Sequence, residues 1–299
     1  MPRTLVLLAL LLPGVSQAAS ACVPAEGVVL QILGSGGPIA DDGRSSSAYL
    51  VWVDGQSRVL VDAGGGAFLR FGEAGASFEA LEHVAISHFH TDHSADLVTL
   101  LKSGYFSDRT RPLSISGPTG SGPFPSLRSY LDSSIGPGGA YGYLSGYGEG
   151  TGGLVKLDVV ELVASGEEVM PVVEQDDLYI SGIGVPHGIV PAIGYRVSVG
   201  DTDVVFGSDQ NGSNDRFIEF SKDADILVAH MVVPEGSNSP LHATPGRIGE
   251  IAAAANVGTV VLSHLTRWSL EDFDDNVAAV REHFDGDIVI ANDLACVSP

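Results

Sequence analysis

The stretch Ser87-His88-Phe89-His90-Thr91-Asp92-His93 constrains this chain more than any other part of it. Three imidazoles and a carboxylate stand within six positions, and each would need a polar partner if buried. The apolar run His83-Val84-Ala85-Ile86 before it reads as a short buried strand, and Ser94 to Lys102 after it reads as a helix. Neutral imidazole nitrogen and carboxylate oxygen are the usual ligands of zinc and similar divalent ions. Alternate residues of an extended turn point the same way. His88 and His90 are therefore placed to grip one ion while Asp92 and His93 reach a second. A solvated loop that happens to be histidine-rich is the bland alternative, and it leaves this density of ligands directly after a buried strand unexplained.

Further ligands are sought where an apolar strand ends in His, Asp or Glu. His187 ends Ile183-Gly184-Val185-Pro186, Asp209 ends Val204-Val205-Phe206-Gly207-Ser208, and His264 ends Val260-Val261-Leu262-Ser263. Alone, each is an ordinary loop residue; three in one structural position, beside the histidine cluster, are not. His230 follows the strand Ile226 to Val228 near the same edge but receives no role, and His83 and His283 read as ordinary, partly exposed residues.

Other strands are expected at Val28 to Leu33, Ser47 to Val53, Arg58 to Val61, Leu113 to Ser116, Leu157 to Leu162, Tyr179 to Val185, Tyr195 to Val199 and Ile288 to Ile290. Helices are expected at Ser126 to Ser133, Ser213 to Phe220, Thr244 to Ala255 and Leu270 to Phe284; Thr244-Pro245 supplies an N-cap and a proline at N1. Strands with interleaved helices and polar groups at strand ends make an α/β protein, sheets sandwiched between helices, with no linker dividing residues 22–299 into separate cores. Asp62-Ala63-Gly64-Gly65-Gly66 completes no phosphate-binding pattern and reads as backbone packed closely near the metal site. Residues 135–153, rich in Gly and Tyr, read as a mobile loop or arm. Tyr141, Tyr143, Tyr147 and the earlier Tyr130 would there stack on a substrate, with a loop folded against the domain as the even alternative.

Charge excludes one large class of partner. With 37 acidic and 15 basic residues the net charge is −22, and no Lys/Arg-rich run occurs, so the footprint of a nucleic-acid binder is missing. Residues 1–21 read as a secretory signal peptide: Arg3, an apolar run from Leu5 to Leu12, Pro13-Gly14, then small residues to Ala21. That run is shorter than the roughly 20 residues a bilayer span needs, so no stable membrane insertion is expected. The mature protein is expected to be periplasmic or extracellular. There Cys22 and Cys296, one at each end, suggest a disulfide. Lipid attachment at Cys22 ranks second, because such a signal usually has a larger aliphatic residue where Ala19 stands.

Ser87 to Leu97 resembles the HxHxDH signature of the metallo-β-lactamase fold superfamily, and His187, Asp209 and His264 match its remaining ligands in order. Asp62 matches an acidic residue that precedes the signature. Within that superfamily the chain is similar to the ribonuclease Z branch, through Leu33-Gly34-Ser35-Gly36, Arg44-Ser45-Ser46-Ser47, Gly117-Pro118-Thr119-Gly120, Leu241-His242-Ala243-Thr244 and Val261-Leu262-Ser263-His264. The resemblance implies an αββα sandwich of two mixed β-sheets flanked by helices. It implies one zinc on His88, His90 and His187, another on Asp92, His93 and His264, and Asp209 between them; Mn2+ or Fe2+ are alternatives. Asp92 is thus both ligand and catalytic residue, and His242 is the implied proton donor to the leaving group.

The resulting expectation is an exported dinuclear zinc hydrolase of small anionic esters, phosphodiesters first. Two ions supply hydroxide at neutral pH and clamp the attacking and leaving oxygens of a displacement. The acidic balance and the leader speak against tRNA as substrate. Exported relatives also include arylsulfatases, so sulfate-ester hydrolysis is the first alternative and lactone or thioester hydrolysis the next. A non-catalytic metal-binding protein is disfavoured by the complete ligand set. A homodimer is left open.

Overall fold

The computed structural model describes residues 22, 26–166, 168–175 and 177–299. The leader-like segment 1–21 lies outside the described residues. Two seven-stranded sheets carry the fold. The first half of the chain supplies β1 (Val28–Gly34), β2 (Ala48–Val53), β3 (Gln56–Val61), α1 (Ala67–Glu73), β4 (His83–Ala85), α2 (Thr91–Ser94), α3 (Leu97–Gly104), β5 (Leu113–Pro118), α4 (Leu127–Ile135), a 3-10 helix (Gly142–Gly148) and β6 (Leu157–Leu162). The second supplies β7 (Met170–Glu174), β8 (Tyr179–His187), β9 (Val190–Val199), β10 (Thr202–Phe206), α5 (Asp215–Phe220), β11 (Ile226–His230), α6 (Pro245–Ala254), β12 (Thr259–Ser263), α7 (Arg267–Glu271), α8 (Phe273–Arg281), β13 (Asp287–Ile290) and β14 (Cys296–Val297). The strand orders are β14-β1-β2-β3-β4-β5-β6 and β13-β12-β11-β10-β9-β8-β7. β3 to β6 run parallel, as do β10 to β13, while the hairpins β1–β2–β3 and β7–β8–β9–β10 are antiparallel. Both sheets are therefore mixed, as the resemblance implies.

The strands read as nearly unbroken apolar runs because both of their faces are covered. On β2 the alternation of side chains splits the residues between two cores: Tyr49 and Val51 enter the layer between the sheets, whereas Leu50 and Trp52 face the helices of the first half. Ile193, Tyr195, Val204, Phe206 and Val228 meet them from the second sheet. Outside that sheet, Phe217, Ile248, Ile251 and Val280 of α5, α6 and α8 pack on Val205, Leu227 and Val260. Two outer cores and one central core make the αββα sandwich.

Three expectations change. Residues 135–153 are an integral part of the first outer core: Leu144 and Tyr147 of the 3-10 helix are buried, and the Tyr147 hydroxyl donates to Leu101 O at 2.5 Å. Tyr130 stacks on Phe89 with centroids 4.7 Å apart and donates to Ser94 O, so only Tyr141 and Tyr143 face solvent. The rings found a core to cover, which a reading of glycine content alone does not reveal. His83 is fully buried, held between the hydroxyls of Ser114 and Ser116 on β5. The expected helix Leu270 to Phe284 is two, α7 and α8, broken at Asp272. Cys22 is bonded to Cys296, with Cα atoms 5.6 Å apart, which ties the chain before β1 to β14.

Candidate metal centre

Five histidines and two aspartates converge at the carboxyl ends of strands from both sheets. The first sheet delivers His88, His90, Asp92 and His93 from the turn after β4; the second delivers His187 at the end of β8, Asp209 after β10 and His264 after β12. The carboxyl edge of parallel strands is where α/β proteins open their sites. The backbone is bent sharply there: Asp62, Ser208 and His264 have φ of 60°, 57° and 54°. Such left-handed turns cost non-glycine residues stability and persist where the surroundings over-determine them. Close packing is also visible at Gly64, where a side chain would run into Asp92 O, and at Gly37, whose backbone lies against the His264 ring.

The candidate ligand atoms fall into two groups that share Asp209. In one, His88 Nε2 and His187 Nε2 stand 3.0 and 3.5 Å from His90 Nδ1, and 3.8 and 3.6 Å from Asp209 Oδ2. In the other, His93 Nε2 lies 3.6 Å from Asp209 Oδ2 and 3.7 Å from Asp92 Oδ2, while His264 Nε2 lies 3.1 Å from Asp92 Oδ2 and 3.5 Å from Asp209 Oδ1. The candidate atoms of His88, His90, His187 and Asp209 fall within 4.8 Å of one another, as do those of His93, Asp209 and His264 together with His230. Ligands on a tetrahedral zinc at about 2.0–2.1 Å are roughly 3.3 Å apart, which is the spacing seen here.

The outer hydrogen bonds decide which ring nitrogens point inward as bare lone pairs. Asp62 accepts from Ser87 N at 2.7 Å, from Ser87 Oγ at 2.8 Å and from His93 Nδ1 at 2.8 Å. The Ser87 hydroxyl, its proton given to Asp62, accepts from His88 Nδ1 at 3.1 Å, and His187 Nδ1 donates to Leu241 O at 2.9 Å. With their Nδ1 protons so placed, His88, His93 and His187 each turn Nε2 inward, the nitrogen whose lone pair a cation would take. Buried His93 Nε2 has no hydrogen-bond partner. Acceptors 3 to 4 Å apart repel unless a cation lies between them, so the residues fit a pair of divalent ions.

Electrostatics reinforce the pattern. Burial pushes His88 well below its ordinary value, and neighbouring His93 pushes the same way. Burial also lowers His90, helped by His187. For His93 burial works downward, but Asp62 and Asp209 outweigh it and hold the ring well above its usual range. Burial opposes ionisation of Asp209, yet His264 and His93 keep its carboxyl well below the normal value. Asp92 drops to about 2: burial works upward and is overcome by the His264 hydrogen bond and nearby His93.

His242 lies beside the centre, its ring centroid 5.2 Å from that of His187 and 6.2 Å from that of His264. Its buried Nδ1 has no hydrogen-bond partner, and burial lowers the ring to about 4. Two participants escaped the sequence reading. His230 Nδ1 donates to Asp209 Oδ1 at 2.7 Å, and its Nε2 meets the Tyr49 hydroxyl at 3.0 Å, itself 2.9 Å from Ser263 Oγ. Both nitrogens of His230 are thus engaged, which makes it the residue that aims Asp209 even though it lies within ligand range of His93 and His264. β11 extends to His230, so the strand-end criterion that found His187 and His264 applies to it as well. Nothing in the sequence singles out Tyr49.

Comparison with known proteins follows this geometry. The sequence profile of a family described as "Anti-Pycsar protein Apyc1" matches residues 28–119. A ribonuclease Z of Mycobacterium bovis is 26% identical over 282 residues, spanning 89% of this chain and 96% of that protein. Among solved structures, the metallo-β-lactamase fold protein YhfI from Bacillus subtilis superposes with a TM-score of 0.71 at 20% identity, covering 90% of this chain and 98% of that one. Human short-form tRNase Z superposes with a TM-score of 0.68 at 18% identity over the same shares. The chain has the metallo-β-lactamase fold, which a protein titled a metal-dependent hydrolase of the β-lactamase superfamily shares. Its sequence is similar to ribonuclease Z proteins along nearly their whole length.

Proposed function

We propose that this chain is an exported dinuclear zinc hydrolase that cleaves small phosphodiesters. The observation carrying the proposal is the pair of ligand groups sharing Asp209, one through His88, His90 and His187, the other through His93 and His264 with Asp92 against both. When bound, the ions supply a hydroxide nucleophile at neutral pH and neutralise charge on the phosphoryl oxygens. The chain's own residues do the rest. Asp62 and Ser87 hold the rings of His93 and His88 in one tautomer, and His230 holds Asp209. His242 gives a proton to the leaving oxygen; an anionic diester beside its ring offsets the burial that otherwise keeps it neutral.

A small substrate, rather than RNA, is supported by the net charge of −22 and by the way the cations are spent. Arg58, Arg70, Arg196 and Arg247 are each paired with carboxylates of the chain itself. Export is supported by the leader-like sequence and by the Cys22–Cys296 bond, a linkage that persists in oxidising compartments. Among the described residues no helix is long and apolar enough to cross a membrane.

The test is zinc-reconstituted protein assayed on bis-p-nitrophenyl phosphate, p-nitrophenyl sulfate, a lactone and a precursor tRNA, with Asp209→Ala alongside. Hydrolysis of the diester, close to two zinc ions per chain and loss of both in Asp209→Ala are expected. Active protein with one ion or none would end the dinuclear assignment. Faster turnover of sulfate, lactone or tRNA would move the substrate class accordingly.

A further inference from the structure

A cleft of about 870 Å³ opens beside His187, within the size range of small-molecule sites. The β8–β9 hairpin that presents His187 forms one wall, residues 119–121 and 164–166 form another, and the start of α5 closes the third side. These parts are fastened to one another. Asn211 N donates to Pro186 O at 2.9 Å, and Asn214 Nδ2 donates to Gly184 O at 2.9 Å. Arg216, two residues beyond Asn214, is therefore held in fixed relation to His187, three residues beyond Gly184.

Glycine and apolar residues make up much of the lining, and its polar groups are mainly donors, with Asp215 the one carboxylate among the described lining residues. The hydroxyls of Thr119, Ser121, Ser165 and Ser213 bond no other described residue. Neither does the Arg216 guanidinium. Every other described arginine has a carboxylate, a carbonyl, a polar side chain or a ring against it; Arg267, for example, sits over Trp268, and Arg281 donates to Gly286 O. Asp215, the carboxylate nearest in sequence, is 3.4 Å from Arg247. Among the described residues the lining has no Phe, Tyr or Trp, and its one ring is that of His187, already assigned to the candidate metal centre. A free cation and hydroxyl donors suit a phosphate or a phosphorylated sugar. In a chain of net charge −22, such a local cation also offsets repulsion of an anionic substrate.

We propose that this cleft is a subsite for a second anionic group of the substrate, a phosphate lying beyond the scissile diester, and that Arg216 reads its charge. The preferred substrate class becomes a phosphodiester carrying a further phosphomonoester. This rests on the phosphodiester reading above.

The experiment compares thymidine 5′-(p-nitrophenyl phosphate) with its 3′-phosphorylated form, identical in scissile bond and leaving group. Zinc-reconstituted wild type should show the lower KM for the 3′-phosphorylated substrate. Arg216→Ala should raise that KM about fivefold with kcat unchanged, the upper range for an exposed charge pair, and leave the unphosphorylated substrate within twofold. Arg216→Lys should restore part of the difference, and added salt should shrink it. Equal KM values in wild type, or an unchanged ratio in Arg216→Ala, overturns the subsite. Binding of thymidine 3′,5′-bisphosphate, followed by calorimetry, separates this from the parent reading. If neither ester is hydrolysed, the phosphodiester reading fails, while weaker bisphosphate binding by Arg216→Ala still supports the subsite and equal binding rejects it.

Discussion

The residue that most exposes the reasoning about this site is His230, which touches Asp209 and has both ring nitrogens engaged within the chain. Its Nδ1 donates to Asp209 Oδ1 at 2.7 Å, and its Nε2 is occupied by the Tyr49 hydroxyl at 3.0 Å. In His230→Phe the ring volume remains and the donor to the shared carboxylate is lost. Residues that orient ligands in this way typically contribute 10- to 100-fold in metal affinity, or about 1.4 to 2.8 kcal/mol. Competition against a chromophoric chelator should show that loss, with stoichiometry restored to about two ions at saturating zinc. Tyr49→Phe removes only a neutral hydrogen bond, so its effect should be smaller, near the roughly 0.5–1.5 kcal/mol of such bonds. Wild-type zinc affinity in His230→Phe would refute the orienting role. Permanent loss of one equivalent at saturating zinc would show instead that His230 is itself a ligand.

Three other predictions follow from the same contacts. His242→Ala should slow an alkyl phosphodiester by about 10²–10⁴-fold while barely affecting a p-nitrophenyl ester, with metal content unchanged; equal losses on both would make His242 a substrate-positioning residue. Alkylation should find no free thiol in oxidised protein, and reduction should destabilise it by up to about 5 kcal/mol, the chain-entropy limit for so long a loop; two alkylatable thiols before reduction would reject the bond. Burial lowers His83 to about 3, so it binds a proton only on unfolding between there and its ordinary 6.5. Its contribution is therefore fully present above pH 6.5 and lost toward pH 3, at about 1.4 kcal/mol per pH unit. Chemical denaturation of His83→Gln between pH 6 and 4 should show a slope shallower by about one proton, and an unchanged slope would contradict the assignment.

The sequence made the site legible because its ligands obey a positional rule: each stands where an apolar strand ends. That rule recovered His187, Asp209 and His264 across more than seventy residues, and the strand at Leu157 to Leu162 was placed to the residue. What escaped lacked a local signature. β7 lies at a sheet edge, and Pro171 interrupts its short apolar run Val169 to Val173, which argues against a strand from sequence alone. α1 follows a glycine-rich turn, has Gly66 as N-cap at φ 95° and contains Gly72, all of which argue against a helix from sequence alone. His83 looks like any exposed histidine until β5 brings Ser114 and Ser116 against it. Tyr147 and Leu144 acquire their role only from the first outer core, which distant segments assemble.

The way the site is divided between the sheets has an energetic consequence. His88, His90, Asp92 and His93 come from the first sheet, His187, Asp209 and His264 from the second, and Asp209 alone belongs to both ligand groups. The alignment of the two halves therefore depends on the central core, where Tyr49 and Val51 meet Phe206 and Val228. The contact of His90 Nδ1, which lies 3.0 Å from His88 Nε2, with His187 Nε2 at 3.5 Å also joins the two halves. Metal binding at the proposed centre would add to that alignment, because ligands that bind only the folded state stabilise it by RT ln(1 + [L]/Kd), about 4 kcal/mol at a thousandfold excess over Kd. The central core holds the two groups of candidate ligands near enough to share Asp209, and ions held there would join the two sheets. Tyr49 contributes to both tasks, with its ring in the central core and its hydroxyl on His230.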